Sequence, residues 1–295
     1  MYKLTYITVS LILVLFSTAC TDALNPNNAT SADLEIMAPM TSSLLTLENE
    51  EASGNGIFIL NWNMLNPRFS SDNENSLGMA MALGFKDERS FEPPYYTNTV
   101  DMGLVIIESA QEEAVELSMQ TSRFSGKKRV YSYRSFGPFS RQESLTYKTG
   151  SEYTIRTSGS DVFPALNIKA AAPDKQVSIM TPFENRLENH TGAIELSWEA
   201  VSDKPVAIHI RPSFNPKAGE KPGKFNREDS EMILLEDQNG SYTIPGENLS
   251  EIADRTGANV LHISVGQIHV SDVEYGGQIY RVIMRTADHR IVELN

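Results

Sequence analysis

The chain has almost no cysteine. Its 295 residues include one, Cys20, so a disulfide within the chain is excluded. Tryptophan is nearly as rare, with two residues, Trp62 and Trp198. Basic residues are also few, because 25 Lys and Arg stand against 38 Asp and Glu, for a formal net charge of -13. Such an acid excess repels phosphate backbones, so we expect no nucleic-acid partner.

Motifs that carry catalytic chemistry are missing from the sequence. The Ser-Gly-Ser stretch at 158–160 lacks the Gly-x-Ser-x-Gly order of a serine nucleophile, and there is no phosphate loop or dinucleotide fingerprint. The five histidines form no closely spaced pair of the kind that binds zinc. The acidic run at 72–75 lacks the residue order of a calcium loop. We therefore expect no enzymatic activity, no cofactor and no metal.

The N-terminal residues have the pattern of a secretory signal. Lys3 precedes an apolar run at 4–16 that is too short to span a bilayer as a helix. Ser-Thr-Ala-Cys at 17–20 resembles the lipobox of bacterial lipoproteins, although serine stands where leucine is usual. The resemblance implies a signal peptide at 1–19 and a lipidated Cys20. The alternative is a plain signal peptide that ends near Cys20.

A lipidated Cys20 would make the membrane a partner of the protein, since each buried acyl methylene contributes about 0.8 kcal/mol. Thr21 after the cysteine resembles lipoproteins that are sent to the outer membrane. Residues 20–33 are rich in Asn, Ala, Thr and Ser. This composition buries too little to fold, so we interpret the segment as a tether. The predicted location is the bacterial cell envelope, lipid-anchored at the outer membrane.

The two tryptophans lie in strand-like stretches with similar surroundings. Gly56 and Trp62 have the same spacing as Gly192 and Trp198, and a Pro and Leu pair with matching spacing precedes each glycine. Only the length between Leu and Gly differs, as a hairpin loop varies while its strands keep register. We interpret this as an internal repeat of one β domain, with both tryptophans in a core.

Length and repeat together predict two domains, at 34–173 and 177–295. Strand-like stretches follow one another at hairpin spacing in the first, and few windows have a helical period. In the second, Leu-x-Trp, a turn and the alternating strand at 206–211 resemble the B and C strands of fibronectin type III and related immunoglobulin-like domains. The resemblance implies an all-β fold of two tandem immunoglobulin or fibronectin type III-like β-sandwiches.

A second resemblance covers residues 101–173. It rests on Asp101-Met-Gly103 before an apolar strand, on Tyr153-x-Ile155, and on the later Gly-Ser-Asp-Val-Phe-Pro-Ala run. These stretches resemble a group of uncharacterised bacterial envelope lipoproteins. The resemblance implies a β domain and brings no catalytic residue with it.

Three local patterns in the second domain predict particular structures. Pro245 and Gly257 bound a short helical turn. The apolar phase shifts at Gly266, which predicts a β-bulge. An Asn-Gly turn predicts a hairpin between strands at 232–235 and 242–244.

Four residues are candidate ligand contacts. Tyr95 and Tyr96 follow two prolines in an extended stretch, where packing at a domain edge is the commoner outcome. His209 and Arg211 alternate with apolar residues and fall on the non-core face of their strand. The same face is expected to hold His262, Arg281 and Arg285. This face could recognise an anionic or sugar ligand, but we favour an ordinary solvated sheet face.

The leading functional hypothesis is a non-catalytic extracytoplasmic lipoprotein, a structural or protein-interaction module of the bacterial cell envelope. The alternative is a carbohydrate-binding surface lipoprotein, similar in layout to the accessory lipoproteins of bacterial glycan-uptake systems. Those proteins bind sugars through exposed aromatic platforms. With both tryptophans expected in cores, the remaining platform candidates are Phe91, Tyr95 and Tyr96.

Overall fold

A computed structural model describes residues 53–64, 76–91, 98–109, 114–121, 129–134, 145–199, 205–213, 230–235 and 240–294. This part of the chain has sixteen β-strands and one helix, within one compact unit that spans Met37–Asn295. The predicted all-β class is confirmed. The predicted signal peptide and tether, including Cys20, lie outside the described residues, and so do Tyr95 and Tyr96.

Eight strands lie in the first predicted domain range. Buried and exposed side chains alternate along several of them, which is the pattern of a strand with one face on a core. The strands are β1 (Ser53–Met64), β2 (Ser76–Ser90), β3 (Thr99–Val100), β4 (Val105–Ser109), β5 (Val115–Thr121), β6 (Arg129–Arg134), β7 (Glu152–Thr157) and β8 (Leu166–Ala171).

Eight more strands and a helix follow in the second range. The last two strands are much longer than the others. The elements are β9 (Ile179–Thr181), β10 (Arg186–His190), β11 (Ile194–Trp198), β12 (Val206–Ser213), β13 (Glu231–Leu235), β14 (Ser241–Ile244), α1 (Gly246–Thr256), β15 (Val260–Tyr275) and β16 (Gln278–Leu294). The helix, with 11 residues, is not long and apolar enough to cross a membrane, and no other helix occurs in the described ranges.

The sheet of the first part curls over its own core. Its strand order is β1-β2-β6-β5-β4-β7-β8, so β1 and β7 would lie about 24 Å apart in a flat sheet. Yet the ring centroids of Trp62 on β1 and Tyr153 on β7 are 5.0 Å apart. The curled sheet encloses a first core that includes Leu60, Val105 and Ile155.

The second part is a sandwich of two sheets. The smaller sheet has the order β14-β11-β9, and it faces β13-β12-β15-β16, one end of a 13-stranded sheet. Leu196 and Trp198 from the smaller sheet share a second core with Ile208 and Ile263 from the larger one. Two sheets therefore enclose one core here, while the assignment of two tandem sandwich domains stays a prediction.

The β15–β16 hairpin connects the two cores. Its strands remain paired along their whole length. Near the turn, three residues of β16 lie in the first core, namely Tyr280, Val282 and Met284. Along the same stretch β16 pairs in parallel with β1, from Gly56 opposite Tyr280 to Asn63 opposite Ala287. The predicted boundary between residues 173 and 177 thus does not coincide with a break in the sheet, while the domain bounds themselves stay predictions.

Both tryptophans are buried, as predicted, but their strands are paired differently. Trp62 lies in the 13-stranded sheet, and its Nε1 donates a hydrogen bond to the carbonyl of Leu145 at 3.1 Å. Trp198 lies in the three-stranded sheet, and its buried Nε1 has no hydrogen-bond partner. The sequence similarity between the two stretches therefore extends to the buried tryptophan and not to the pairing of its strand.

The prediction of a β-bulge at Gly266 is wrong. Gly266 lies directly opposite Ala207 on β12 and Ala287 on β16, with unbroken register on both sides. Apolar residues change face because both faces of β15 are buried here, as Val265 and Ile268 show. The glycine is needed for close strand approach instead, since a Cβ at this position would lie 2.0 Å from the Thr286 carbonyl oxygen.

The prediction that the strands at 232–235 and 242–244 form a hairpin is also wrong. β13 pairs with β12, whereas β14 pairs with β11, so the connection crosses from one sheet to the other. Two short apolar strands around a turn do not reveal this, because either arrangement buries the same faces. The predicted helical turn is confirmed, since α1 follows Pro245 and ends at Gly257 with a φ of 68°.

The stretches that resemble envelope lipoproteins interlock in the structure. The Asp101 carboxylate accepts hydrogen bonds from the Gly103 amide and the Tyr131 hydroxyl, both at 2.8 Å. These bonds, the Gly103 amide first, lower the pKa of Asp101. Ser160 Oγ donates to the Asp101 carbonyl at 2.7 Å, and the Gly159 amide to Met102. The motif therefore has a structural role in holding two turns together.

The two tryptophans offer a matched test of the cores. Trp62→Phe and Trp198→Phe remove the same volume, but only the first leaves a buried carbonyl without its donor. We expect Trp62→Phe to lower the free energy of unfolding by about 1–3 kcal/mol more than Trp198→Phe. Urea denaturation followed by circular dichroism measures both. Equal losses would mean that the bond to Leu145 contributes nothing.

Candidate functional site

The predicted polar face of β12, β15 and β16 is enclosed in part rather than solvated throughout. Val206, Ile208 and Ile210 point into the second core, so His209 and Arg211 lie on the opposite face of the sheet. His209 is 3% exposed and Arg285 is fully buried. The expectation of an ordinary exposed sheet face is therefore wrong for His209 and Arg285, while Arg211 and His262 are half-buried.

The sheet register brings the predicted residues together in rows. His209 on β12, Ser264 on β15 and His289 on β16 lie directly opposite one another. Arg211 and His262 form the next row. Residues opposite each other on neighbouring strands have Cβ atoms roughly 5 Å apart and point to the same face. We call His209, Arg211, His262, Arg285 and His289 the basic cluster.

Arg285 reaches the cluster from two rows away. Its strand neighbour on β15 is Ile268, yet its Nη2 donates to Ser264 Oγ at 2.8 Å. The intervening row consists of Ala207, Gly266 and Ala287. These small side chains leave room for the guanidinium to lie along the sheet toward the histidines. The sequence predicted that Arg285 lies on this face. Its contact with Ser264 depends on the register of β15 and β16, which no local sequence pattern reveals.

Burial and positive charge keep the histidines neutral. Desolvation, followed by Arg285, Arg211 and His289, lowers the pKa of His209 to about 3. Desolvation and then Arg285 lower the pKa of the half-buried His289 to about 3 as well. Desolvation and then Arg211 lower the pKa of His262 to about 4. At neutral pH the cluster therefore has uncharged imidazoles beside charged guanidinium groups.

Within the described ranges, no carboxylate forms an ion pair with the basic cluster. Glu293, one row beyond Arg211 on the same face of the sheet, is paired with Arg186. Nε and Nη1 of Arg285 and Nε2 of His209 are buried without a hydrogen-bond partner. The described residues contain no group of three or more potential metal ligands. The chemistry of the cluster is that of hydrogen-bond donors and positive charge.

A second feature is the segment of residues 180–185, which includes the end of β9 and the connection to β10 and which we call the Phe183 loop. Phe183 is 87% exposed, the highest value among the exposed large hydrophobic residues of the described part, and Met180 is 55% exposed. The buried Arg290 holds the base of this loop. Its Nε donates to the Pro182 carbonyl at 2.8 Å, and its Nη2 donates to the Ile179 carbonyl.

Asp288 completes this support. Its Oδ2 accepts the Ile179 amide at 2.8 Å and Arg290 Nη1 at 3.1 Å, and the Ile291 amide donates to the Asn185 carbonyl at 2.8 Å. Both ends of the loop are therefore attached to β16. Sequence analysis did not identify Phe183, because a phenylalanine between a proline and a glutamate has no pattern that distinguishes a buried side chain from an exposed one.

The predicted aromatic candidates have different outcomes. Phe91 is buried, 2% exposed, beneath the Arg281 guanidinium, which lies 5.1 Å from its ring centroid. It is therefore no exposed platform. Tyr95 and Tyr96 lie outside the described ranges. Of the candidate ligand contacts, the structure thus brings together His209 and Arg211.

Comparison with known proteins gives little. No family model matches the chain, and no curated protein matches it. Among solved structures, the chain is similar to the FN1–FN3 domains of chicken CNTN1, with 12% sequence identity, a TM-score of 0.22, and coverage of 81% of this chain and 69% of that one. The all-β structure thus has a remote similarity to fibronectin type III domains.

The neutral histidines predict a loss of stability in mild acid. In the unfolded chain a histidine has a pKa near 6.5, so the unfolded state binds more protons than the folded state between about pH 6.5 and 3. The contribution of the neutral histidines to the free energy of unfolding is therefore fully present above about pH 6.5, and it is lost as the pH falls below that value. For His209 the loss between pH 7 and 5 is about 2 kcal/mol.

Urea denaturation at pH 7 and pH 5 measures this loss, and the variant His209→Gln should lose less between the two pH values. Comparing each protein with itself removes any general destabilisation that the substitution causes. The same pH dependence in His209→Gln and the unsubstituted protein would contradict a neutral, buried His209.

Proposed function

We propose that this protein is a non-catalytic lipoprotein of the bacterial cell envelope that acts as a structural or protein-interaction module. The observation that carries the proposal is Phe183, an aromatic side chain that is 87% exposed on a loop attached to β16 at both ends. A large apolar side chain in water is unfavourable unless a partner covers it. The Phe183 loop is therefore the proposed docking site.

The geometry of the loop suits recognition of a protein. Aromatic residues are enriched among the positions that dominate protein interfaces. Binding loses less conformational entropy when the contacting residue is already held in place, and Arg290 and Asp288 hold the backbone on the N-terminal side of Phe183. Met180 on β9, which is 55% exposed, adds a flexible apolar side chain that can adapt to a partner surface.

The envelope location is proposed from the N-terminal sequence. The pattern of residues 1–19 and the lipobox-like Ser-Thr-Ala-Cys support a lipid anchor on Cys20. Thr21 supports delivery to the outer membrane, and residues 20–33 would serve as the tether. The fibronectin type III-like assignment of the second domain is supported by the strand orders β14-β11-β9 and β13-β12-β15-β16.

The carbohydrate-binding alternative needs a row of exposed aromatic rings. In the described part of the chain, the aromatic residues among the exposed large hydrophobics are Phe183 and Tyr275. Tyr275 lies opposite Gln278 at the hairpin turn, whereas the Phe183 loop is attached near Arg290. Along β16 these points are about 40 Å apart. The two rings therefore do not form one platform, and we favour the protein-interaction role.

The lipid anchor is tested by Cys20→Ala. In the native bacterium we expect the variant to lose labelling by radioactive palmitate and to leave the membrane fraction, because the acylated side chain is gone. Ser17→Leu, which restores the usual lipobox residue, is the matched control and should keep both properties. If Cys20→Ala fractionates as the unsubstituted protein does, the segment is a plain signal peptide and the anchor is elsewhere.

The docking site is tested by photocrosslinking in intact cells. A photoreactive benzoyl-phenylalanine at position 183 should give a discrete, light-dependent product of higher mass. The matched control is the same residue at Val162, which is 43% exposed on a loop of the first part, and this should not give that product. If position 183 gives no product, or both positions give the same products, the Phe183 loop is not a specific docking site.

A further inference from the structure

Strand β16 carries three buried arginines that differ in how their charges are balanced. Arg281, Arg285 and Arg290 are 2%, 0% and 4% exposed. A buried guanidinium is unfavourable unless it is paired with an opposite charge and its donors are hydrogen-bonded. The partners of each arginine therefore show whether the chain itself balances the buried charge.

Two of the three are balanced by carboxylates. Arg281 forms a bidentate pair with Asp272, from Nε to Oδ1 at 2.8 Å and from Nη2 to Oδ2 at 2.7 Å. Arg290 pairs with Asp288 and also donates to backbone carbonyls. Arg281 and Arg290 thus have structural roles, because carboxylates and carbonyls of the chain itself accept their hydrogen bonds.

Arg285 has no such balance. One hydrogen bond is observed, from Nη2 to the neutral hydroxyl of Ser264, and Nε and Nη1 are buried without a partner. Burial lowers its pKa to about 10, which still leaves the side chain charged at pH 7. Its partner in the register on β1 is Asn61, also buried, whose Oδ1 is unpaired as well.

The unpaired groups lie together on one face of the sheet. His209 Nε2 is unpaired and belongs to the row of Ser264, to which Arg285 is bonded. Arg211 and His262 lie in the adjacent row. Every side chain of the basic cluster offers nitrogen donors, and Ser264 and Asn61 are neutral. Such a set is complementary to a group with several oxygen acceptors and negative charge.

We propose that the basic cluster is a binding site for an oxyanion, a carboxylate or phosphate group, with Arg285 as its principal ligand. Arg285 supplies the charge and the donors Nε and Nη1. His209 supplies a neutral N–H, and Arg211 supplies a second positive charge in the next row. The small residues Ala207, Gly266 and Ala287 let the Arg285 guanidinium lie along the sheet beside His209. This site is separate from the Phe183 loop, so the proposal does not depend on the docking role.

The test measures thermal unfolding of the full chain at pH 7 and constant ionic strength, with sodium chloride replaced stepwise by inorganic phosphate or by acetate. A specific anion raises the melting temperature in a saturable way, because it binds the folded state alone. We expect saturation with at least one of the two anions. Saturation with phosphate alone indicates a phosphoryl ligand, and saturation with acetate alone indicates a carboxylate ligand.

Three variants assign the effect to this site. Arg285→Met removes an unbalanced buried charge, so it should fold, and its apparent Kd for the anion should rise at least about tenfold. Arg285→Lys keeps the charge but loses the planar donors, and it should bind with intermediate affinity. Arg281→Met, on the same strand and face but balanced by Asp272, is the matched control and should respond as the unsubstituted protein does.

Two results would overturn the proposal. One is a melting temperature that neither anion changes beyond chloride. The other is an equal anion response in Arg285→Met and in the unsubstituted protein, which would show that the anion acts elsewhere on the surface.

Discussion

The pairing of β16 with strands on both sides is the contact on which the structure depends. One edge of β16 pairs with β15 in an antiparallel hairpin, and the other pairs in parallel with β1. Tyr280, Val282 and Met284 fill the first core, while Val292 near the other end lies in the second. Loss of this strand would open both cores at once, so the two halves of the described chain are expected to unfold together.

The same strand concentrates buried charge. A strand buried on both faces normally carries apolar residues throughout, yet β16 holds three buried arginines. Asp272 and Asp288 balance two of them, one at the hairpin and one beneath the Phe183 loop. Arg290 has a structural role, because its hydrogen bonds hold the loop on which Phe183 is exposed. Arg285, without a carboxylate, is the position where structural need does not account for the charge.

The proposed docking site and the proposed anion site are physically different. Phe183 is exposed on an attached loop and would gain stability through the burial of apolar surface. Arg285 is enclosed, so an anion there would gain from a low dielectric that strengthens each charged hydrogen bond. Both sites are attached to β16, through Arg290 and Arg285 respectively.

The amino-acid sequence was enough to predict the β class, the burial of Trp62 and Trp198, and the ends of α1 at Pro245 and Gly257. These depend on neighbours within a few residues, on alternation, capping and turn residues. The folded chain was needed to show that β1 pairs with β16, that β13 and β14 belong to different sheets, and that His209, Ser264 and His289 form one row. Pairing between strands distant in sequence is set by the complementarity of whole faces, and a strand covered on both sides hides its alternation. The sequence pattern therefore predicts a solvated face for His209, whereas the folded chain buries this side chain.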